Sequence, residues 1–402
     1  MQQPADSYAR EIPLLALAAF SSAIALRVCD PLLPKLATDF QVTPGQAAHV
    51  IAYFSVAYGL LQVCFGPLGD RYGKFRVITY ATLACSIGSL GAVLSNSLDA
   101  LVASRIVAGA TGAAIIPQSM AWIGDHIPYE RRQATLARFL MGQIMGIVGG
   151  QLLGGFFADT LGWRWAFVMM TALYIGVGLL LLGELRRNRG IDTVSVSQTT
   201  PTGTGSKPPP LWRQFQIVLG ARWARYVLIA VFLEGFLVFG AFAFVPTYLH
   251  LQFSVSLTGA GAIFSVYGLG GLAYTVVTKR LVASFGERGL AAGGGALLCA
   301  AFLLLLFGAT WAWAIPASFI AGFGFYMLHN TLQTNATQMA PDARGTAVSS
   351  FASCFFTGQA VGVAGAAYIV DHASTAWVFG IAALTVPLIG AWFAYALRFR
   401  PA

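Results

Sequence analysis

Twelve apolar runs, each long enough to cross a membrane as a helix, follow one another along this chain. About 20 helical residues cross the roughly 30 Å hydrocarbon core of a bilayer. Only 10% of the residues are charged, whereas about a quarter are charged in a typical soluble domain. We therefore predict an all-α membrane protein with twelve transmembrane helices. The predicted spans, numbered 1 to 12 in chain order, are 13–37, 46–67, 75–95, 99–122, 134–158, 164–185, 224–249, 258–279, 289–309, 311–334, 346–369 and 375–397.

Several other protein classes do not fit this sequence. The first apolar run is of full length and no small-residue cleavage site follows it, so we expect it to remain as a span and not to be removed as a signal peptide. All five cysteines fall inside predicted spans, where we interpret them as packing residues and not as disulfide partners or metal ligands. They are Cys29, Cys64, Cys85, Cys299 and Cys354. Basic loops account for the net charge of +9, so we expect no nucleic-acid partner and no metal.

The basic residues predict the orientation of the chain. All but four of the 24 Lys and Arg residues fall on one side of the predicted bundle, the exceptions being Arg27, Lys35, Arg105 and Arg164. Since Lys and Arg concentrate in cytoplasmic loops, we predict that both termini and the central loop are cytoplasmic. We expect a multi-pass protein of the plasma membrane, in a bacterial inner membrane.

The sequence divides into two similar halves. Between spans 6 and 7 lies a stretch rich in Ser, Thr, Gly and Pro, a composition typical of linkers. We predict a six-helix bundle at 1–186, a cytoplasmic linker at 187–220 and a second six-helix bundle at 221–402. Three stretches of the first half recur in the same order in the second: "YGL" (58–60) at 267–269, "AGATG" (108–112) as "AGFGF" (321–325), and "GQIMGIVG" (142–149) as "GQAVGVAG" (358–365). A duplicated six-helix unit is typical of secondary transporters, which bind substrate near the midplane.

The turn between predicted spans 2 and 3, "GPLGDRYGKFR" (66–76), resembles the cytoplasmic signature of the major facilitator superfamily, G-x-x-x-D-R-x-G-R/K-x-R/K. The matching residues are Gly66, Asp70, Arg71, Gly73, Lys74 and Arg76. "LVASRIVAGATG" (101–112) resembles the R-x-x-x-G-x-x-G pattern of proton-coupled members. The resemblance covers the whole chain and implies two pseudo-symmetric six-helix bundles with a cavity between them.

Span 5 resembles the antiporter signature of that family, G-x-x-x-G-P-x-x-G-G, with one departure. The sequence "GIVGGQLLGG" (146–155) retains Gly146, Gly150, Gly154 and Gly155, but Gln151 stands in place of proline. We also expect the glycines spaced four apart in spans 5 and 11 to pack across the interface between the halves, with Gln143 and Gln359 bridging helices there. These glycines are Gly142, Gly146, Gly150, Gly154, Gly358 and Gly362.

The resemblance implies a conformational latch at the turn between spans 2 and 3. In the family, the aspartate of this signature contacts the start of helix 11 when the cytoplasmic side is closed, so we expect Asp70 to reach the region of Gly345. Free N–H groups and the dipole at a helix N-terminus favour a carboxylate there. Asp125, at the cytoplasmic end of span 4, is placed to share Lys74 or Arg76. The alternative is that the basic residues only fix the orientation.

Four charged residues inside spans are candidates for proton coupling, because charges within a membrane are costly and indicate function. Glu234 lies nine residues after Arg225, which is about 13–14 Å along span 7, and we choose it as the proton carrier; a carboxyl satisfied by helix packing is the alternative. Arg27 and Asp30 in span 1 can pair, either as a structural pair or as a gate with a second titrating carboxylate. Arg105 matches the arginine that the family ties to proton exchange.

The resemblance places helices 1, 4, 7 and 10 along the cavity. In span 10, Tyr326, Asn330 and Gln333 recur at helical spacing and form one polar face. The candidate cavity residues are Tyr58, Gln62, Gln118, Trp122, Phe236, Phe239, Tyr326, His329, Asn330 and Gln333. An apolar, aromatic cavity with a few hydrogen-bonding groups suits an amphipathic small molecule.

The sequence predicts a secondary active transporter and not an enzyme. It has no Walker P-loop, no H-E-x-x-H and no G-x-S-x-G motif, so we expect a proton gradient to supply the energy, without a cofactor. We predict proton-coupled efflux of a small amphipathic, drug-like or sugar-like molecule by a monomer in the lipid bilayer. The alternatives are a proton symporter or uniporter for a sugar or organic acid, and a ligand sensor with a transporter fold, which we expect to carry a signalling domain.

Overall fold

The computed structural model describes residues 8, 10–188, 190–192 and 210–400, and every regular element in those ranges is a helix. The helices of the first half are Glu11–Arg27 and Leu33–Phe40 (span 1), Pro44–Ala47 and His49–Tyr72 (span 2), Lys74–Val93 (span 3), Leu98–Gly112 and Ile115–His126 (span 4), Tyr129–Asp159 (span 5), and Trp163–Arg187 (span 6).

The second half repeats this arrangement. Its helices are Arg222–Glu234, Gly235–Phe239, Gly240–Phe242 and Val245–Phe253 (span 7), Leu257–Phe307 (spans 8 and 9), Trp311–Trp313 and Ala314–Ala336 (span 10), Arg344–His372 (span 11), and Thr375–Ala396 (span 12). The predicted linker contains a helix that the sequence analysis did not foresee, Leu211–Gly220, with Val218 fully buried. Residue 189 and residues 193–209 of that linker lie outside the described residues, as do 1–7, 9, 401 and 402 of the predicted bundles.

Ten helical segments of the described chain are long and apolar enough to cross a membrane. One of them, Leu257–Phe307, has 51 residues, about 76 Å as a helix, and Gly286 interrupts it with φ 60° and ψ 179°. It therefore covers spans 8 and 9. The 17-residue helix Glu11–Arg27 continues through a turn into Leu33–Phe40. The structure is thus compatible with twelve spans.

Spans 1 and 7 are both interrupted near their middle. In span 1, a turn over residues 28–32 separates two helices, and the second helix has Pro34 in its first turn. In span 7, the π-helical segment Gly235–Phe239 follows the first helix, and the last helix has Pro246 in its first turn. Wide π turns and broken membrane helices recur at functional sites. The two interruptions therefore indicate that a functional site lies in the region between the halves.

The two halves meet along two pairs of helices, span 2 against span 11 and span 5 against span 8. Gly45 lies against Ala367 and Asp371, and 14 residues later Gly59 lies against Phe356. Beyond this point towards the 66–76 turn, no atom of the part of the chain that the structure describes packs within 4 Å of the Cβ position of Gly66 or of Gly345. We call the end of the bundle with the 66–76 turn the motif end and the other the far end. The halves are closed together at the far end and separated at the motif end.

The glycines of spans 5 and 11 pack mainly within their own halves, so the expectation that they form the interface is wrong. A Cβ at Gly146 or Gly150 would meet the backbone carbonyl of Phe20 or Ile24 in span 1. In span 11, Gly358 and Gly362 lie in the same way against carbonyls of span 7. The four-residue spacing lets each of these helices approach a neighbour closely, and the sequence alone did not identify that neighbour.

One residue predicted at the interface, Gln359, does cross it, and so does Gly155 of the antiporter-like motif. Gly155 packs against the carbonyl of Leu257 in span 8. Gln359 in span 11 donates a hydrogen bond from Nε2 to the hydroxyl of Ser55 in span 2, at 3.0 Å. The expectation that Gln359 bridges helices at the interface is therefore confirmed.

Candidate functional site

A buried carboxyl–imidazole pair lies between spans 7 and 10. Glu234 is the last residue before the π-helical segment, and its side chain is fully buried. Its Oε2 lies 2.7 Å from Nδ1 of His329, while Oε1 has no hydrogen-bond partner among the described residues. The side chain of His329 is 16% exposed. The pair thus links a fully enclosed carboxyl to an imidazole that has some access to solvent.

Close helix contacts position Glu234. Gly235, at the start of the π-helical segment, lies against the carbonyl of Phe355 in span 11. Gly240, just after the segment, lies against the backbone of Gly362. A side chain at either glycine would push the two helices apart. The two glycines therefore hold the wide turn against span 11 and turn Glu234 towards span 10.

Aromatic rings surround the imidazole. The ring of His329 stacks on Phe325 with centroids 4.9 Å apart, and the centroids of Phe355 and Phe351 lie at 5.0 and 5.5 Å. The sequence analysis missed all three phenylalanines, because their spacing in spans 10 and 11 does not differ from ordinary packing. They fix the orientation of the imidazole ring that faces Glu234.

A second polar cluster joins spans 1 and 5. Asp30 lies in the turn of span 1 and is fully buried. Its Oδ2 accepts a hydrogen bond from Nε2 of Gln151 at 2.7 Å and lies 3.7 Å from Nη1 of Arg27. Gln151 is the residue that departs from the antiporter signature. Its amide supplies a donor to Asp30 that a proline cannot supply.

Phe239, in the π-helical segment, lies between the two clusters. The guanidinium carbon of Arg27 lies 4.2 Å from the centroid of the Phe239 ring, a cation–π contact across the halves. The centroids of Phe325 and Phe355, which pack on the imidazole of His329, lie 5.0 and 5.1 Å from the same ring. A small enclosed space between the halves borders this ring, and its lining includes Arg27, Gln151, Phe239, Phe242, Phe264 and Tyr267.

Arg105 occupies a different environment from the other intramembrane charges. Its Nη2 donates to the carbonyl of Ala25 at 2.7 Å, and its Nε donates to that of Val50 at 3.4 Å. The guanidinium also lies 4.0 Å from the centroid of the Phe54 ring. These bonds tie span 4 to spans 1 and 2. The geometry therefore favours a role in holding three helices of the first half together.

The polar face predicted in span 10 becomes more exposed towards the motif end. Tyr326 and Asn330 are half-buried, like His329, and Gln333 is exposed. Across the halves, the ring of Tyr58 lies 4.5 Å from that of Phe356. Gln62, one turn further along span 2, is buried, and within the described ranges its Oε1 has no hydrogen-bond partner. These side chains border the region where the halves separate.

Three predicted cavity residues lie elsewhere. Gln118 donates from Nε2 to the carbonyl of Phe65 at 2.8 Å, within the first half. Trp122 is fully buried and stacks on His126, with ring centroids 4.3 Å apart. Phe236 stacks on Phe232 and lies against the backbone of span 11 at Gly362. We assign all three to packing, because a helical wheel does not show which neighbouring helix a face meets.

The 66–76 turn forms a charge network within the first half. Lys74 Nζ lies 2.6 Å from Asp125 and 3.1 Å from Asp70, so the predicted contact between Lys74 and Asp125 is present. The side chain of Asp70 is 70% exposed. Its predicted contact with the start of span 11 is not among the bonds of the described residues, and Thr346 there donates instead to Gln214 of the linker helix. The reason is that the halves are apart at the motif end.

The linker explains why the turn needs a glycine at position 73. Gly73 has φ 98°, a conformation that residues with a side chain rarely adopt. Its Cβ position is filled by the carboxyl of Asp192, which accepts hydrogen bonds from the backbone N–H groups of Phe75 and Arg76 at 2.9 and 3.2 Å. Asp192 thus caps the first turn of span 3. No sequence signal pointed to this contact, because a lone aspartate is common in linkers.

The chain matches the family model described as "Major Facilitator Superfamily" over residues 15–363. The Probable transporter SCO4007 of Streptomyces coelicolor is 25% identical over 398 residues, which cover 96% of this chain and 87% of that protein. The Multidrug export protein EmrB of Escherichia coli K12 is 28% identical over 189 residues, or 46% of this chain and 37% of EmrB. The Uncharacterized MFS-type transporter YwfA of Bacillus subtilis is 24% identical, and the match spans 64% of its length.

Solved structures share the fold. A mutant of the nucleoside transporter NupG superposes with a TM-score of 0.77 at 13% identity, covering 96% of this chain and 99% of NupG. A bacterial homolog to the human lysosomal transporter Spinster, in an inward-facing and unoccupied conformation, has a TM-score of 0.70 at 17% identity and covers all of both chains. At these identities the likeness shows the fold alone. With the family match, it identifies the chain as a multi-pass membrane transporter that belongs to the Major Facilitator Superfamily.

Proposed function

We propose that the protein exports a small amphipathic molecule in exchange for protons. The observation that carries this proposal is the Glu234–His329 pair, with 2.7 Å between its oxygen and nitrogen. An isolated charge is costly in the bilayer interior, so a buried carboxyl there is either protonated or paired. This pair has both options: a protonated Glu234 beside a neutral imidazole, or a carboxylate beside an imidazolium.

The position of the pair suits exchange between a proton and a substrate. Glu234 is enclosed, whereas His329 is partly exposed and borders the polar face of span 10 that leads towards the motif end. A proton that arrives from that side meets the imidazole first. A substrate held against the rings around His329 removes water from the Glu234–His329 pair. Substrate binding and protonation of the pair therefore compete with each other.

The chemistry of the surrounding surface supports an amphipathic substrate. The rings of Phe325, Phe351 and Phe355 lie around the imidazole, and the amide and hydroxyl groups of Asn330 and Tyr326 lie nearby on span 10. Apolar walls with a few polar groups are typical of small-molecule sites. The name of EmrB, a multidrug export protein that is 28% identical over 46% of this chain, agrees with export.

The direction and the orientation belong to the same proposal. The excess of Lys and Arg in the loops at the motif end supports a cytoplasmic position for that end. In that orientation the present conformation opens to the cytoplasm and is closed on the outside. An exporter loads substrate in this conformation. The span 5 glycines that match the antiporter signature favour export over symport, although Gln151 replaces the proline.

Transport by purified protein in liposomes tests this proposal. Ethidium and rhodamine 6G serve as amphipathic probes, with an imposed pH gradient and a pH-sensitive dye to follow protons. We expect wild type to accumulate a probe against its gradient only when the pH gradient is present, with opposite proton flow. Glu234→Gln is expected to abolish accumulation that depends on the gradient.

A matched control is Glu184→Gln, which changes another buried carboxyl, bonded to Arg187 at the end of span 6. We expect this variant to keep its dependence on the pH gradient. Accumulation that ignores the gradient in wild type contradicts proton coupling, and protons that move in the same direction as the probe indicate a symporter. Full gradient-driven transport by Glu234→Gln contradicts the assignment to Glu234.

A further inference from the structure

Two aspartates at the far end of the bundle, Asp159 and Asp371, each bond to the first turn of a helix of the other half. Asp159 is the last residue of the span 5 helix, and Asp371 lies at the end of the span 11 helix. The candidate site does not include either residue. Both reach across the interface at the end where the halves are closed together.

Asp159 binds the start of span 8. Its Oδ1 accepts from the backbone N–H of Leu257 at 3.1 Å. Its Oδ2 accepts from the backbone N–H and the hydroxyl of Thr258, each at 2.7 Å. Ser256 already caps the N–H of Gly259. The carboxylate therefore satisfies the two N–H groups of the first turn that the helix leaves free.

Asp371 binds the start of span 2 in the same way. Its Oδ1 accepts from the backbone N–H of Gly45 at 2.9 Å, and its Oδ2 accepts from the hydroxyl of Thr43 at 2.6 Å. Thr43 and Gln46 form a capping box, and Pro44 has no N–H to donate. Residue 45 must be a glycine here, because a Cβ would meet the carboxylate.

The two contacts are equivalent under the internal repeat. Asp371 lies 212 residues after Asp159, and Leu257 lies 212 residues after Gly45. Pro34 and Pro246, at the interruptions of spans 1 and 7, have the same separation. Each half therefore supplies one carboxylate and receives one. A surface contact formed by chance would not recur at the same place in both halves.

The motif end provides the contrast. There Asp70, the carboxyl expected to cap a helix of the other half, is 70% exposed and pairs with Lys74 of its own half. In this conformation the carboxylates at the far end are bonded across the halves and the carboxylate at the motif end is not. Opening of the far end must break five hydrogen bonds, two to Asp371 and three to Asp159.

We propose that Asp159 and Asp371 act together in the transport cycle: they hold the far end of the bundle closed while the motif end is open. Asp159 accepts from two backbone N–H groups and Asp371 from one, and both lie at the positive end of a helix dipole, which favours a negative charge. Its loss shifts the balance towards the state open at the far end. This role of the two aspartates does not depend on the substrate, the direction of transport or the coupling ion. It can therefore be disproved without any consequence for proton antiport.

Distances between spin labels at the far end test the proposal. Labels at Asn96 and Ala309, exposed residues before spans 4 and 10, report the separation of the halves there. The background has Cys64, Cys299 and Cys354 replaced by alanine, since these cysteines are exposed or half-buried. We expect Asp159→Asn and Asp371→Asn each to raise the ratio of far-end-open to far-end-closed molecules about 5- to 30-fold. The double variant is expected to show about the product of the two factors.

Asp99→Asn is the matched control, because Asp99 is an exposed aspartate in the first turn of span 4 at the same end. It should leave the distance distribution unchanged. Thr258→Val and Thr43→Val remove one hydroxyl each and keep the carboxylates, so they test the same contacts in variants that are expected to fold. Thr43→Val also removes the bond of the capping box to Gln46, so Thr258→Val is the cleaner of the two. They should shift the ratio in the same direction by a smaller factor. A double aspartate variant with the wild-type distribution, or with a lower melting temperature alone, overturns the proposal.

Discussion

Spans 1 and 7 each carry a buried carboxyl where the helix is interrupted, but the two carboxyls have different partners. Asp30 lies beside the guanidinium of Arg27, which carries a permanent positive charge, and accepts a hydrogen bond from the amide of Gln151. Glu234 lies beside His329, whose imidazole can be either neutral or protonated. The first carboxyl thus has a permanent positive partner, and the second has a partner that gains and loses a proton.

Their positions along the bundle also differ. Under the repeat, Ser22 of span 1 is the counterpart of Glu234, and Asp30 follows eight residues later, about 12 Å nearer to the far end. Glu234 therefore lies on the side that the open motif end reaches, and Asp30 lies on the closed side. The comparison indicates a fixed pair that shapes the interface near the closed end and an exchangeable pair that faces the open end.

The largest expected effect distinguishes these two roles directly. We expect His329→Gln to lower pH-gradient-driven transport to the level of protein-free liposomes, because the amide still bonds to Glu234 but cannot take up a proton. Asp30→Asn is expected to retain a response to the gradient, since it changes only the fixed pair. The measurement is probe accumulation in liposomes at several imposed gradients. A gradient response that survives His329→Gln but is lost in Asp30→Asn would reverse the two assignments.

Hydropathy was enough to predict the membrane spans, because a span needs a long apolar run and the 51-residue helix joins two of them. The same rule identified Glu234 and Asp30 as unusual charges. Hydropathy could not identify the partner of either carboxyl. His329 lies 95 residues after Glu234, and only the packing of span 7 on span 10 brings the two together.

Other contacts could not be predicted from the sequence, for different physical reasons. The partner of Gln151 depends on the turn in span 1, which hydropathy does not register. Asp159 and Asp371 lie at span ends, where a carboxylate normally faces water, so neither stood out by itself. Comparison of the halves at a separation of 212 residues would have singled them out, because each aspartate and the helix start that it caps recur together.

The fixed pair predicts a large loss of stability when one partner is removed. Arg27→Met leaves Asp30 buried with the Gln151 amide as its remaining hydrogen-bond partner among the described residues, so we expect a loss of about 3–5 kcal/mol. The double variant Arg27→Met, Asp30→Asn is expected to lose less than the single one, because no unpaired charge remains. Equilibrium unfolding in detergent with a double-mutant cycle measures the coupling. Strictly additive losses would show that the two side chains do not form a pair.

A smaller effect is expected at Gln151, which sharpens the role of the departure from the antiporter signature. Gln151→Leu keeps a similar volume and removes the donor to Asp30, so we expect a loss of about 1–3 kcal/mol. Gln143→Leu, a half-buried glutamine two turns earlier on span 5, is the control and should change stability by less than about 0.5 kcal/mol. Equal losses at the two positions would indicate that the bond to Asp30 contributes nothing specific.

The smallest effect concerns a third carboxyl, Asp192, which caps span 3 from the linker. Burial raises its pKa, against the effect of the hydrogen bonds from Phe75 and Arg76. Folding therefore favours the protonated form, and the contribution of Asp192 to stability decreases as the pH rises from its unfolded pKa, about 3.9, through the higher folded value. We expect Asp192→Asn, which keeps one acceptor, to remove this part of the pH dependence. Asp192→Ala loses the cap, so we expect it to cost about 0.5–2 kcal/mol at low pH and less as the pH rises. Melting temperatures between pH 4 and 8, compared with Asp99→Asn, measure both effects, and an unchanged pH profile in Asp192→Asn would show that another group carries the dependence.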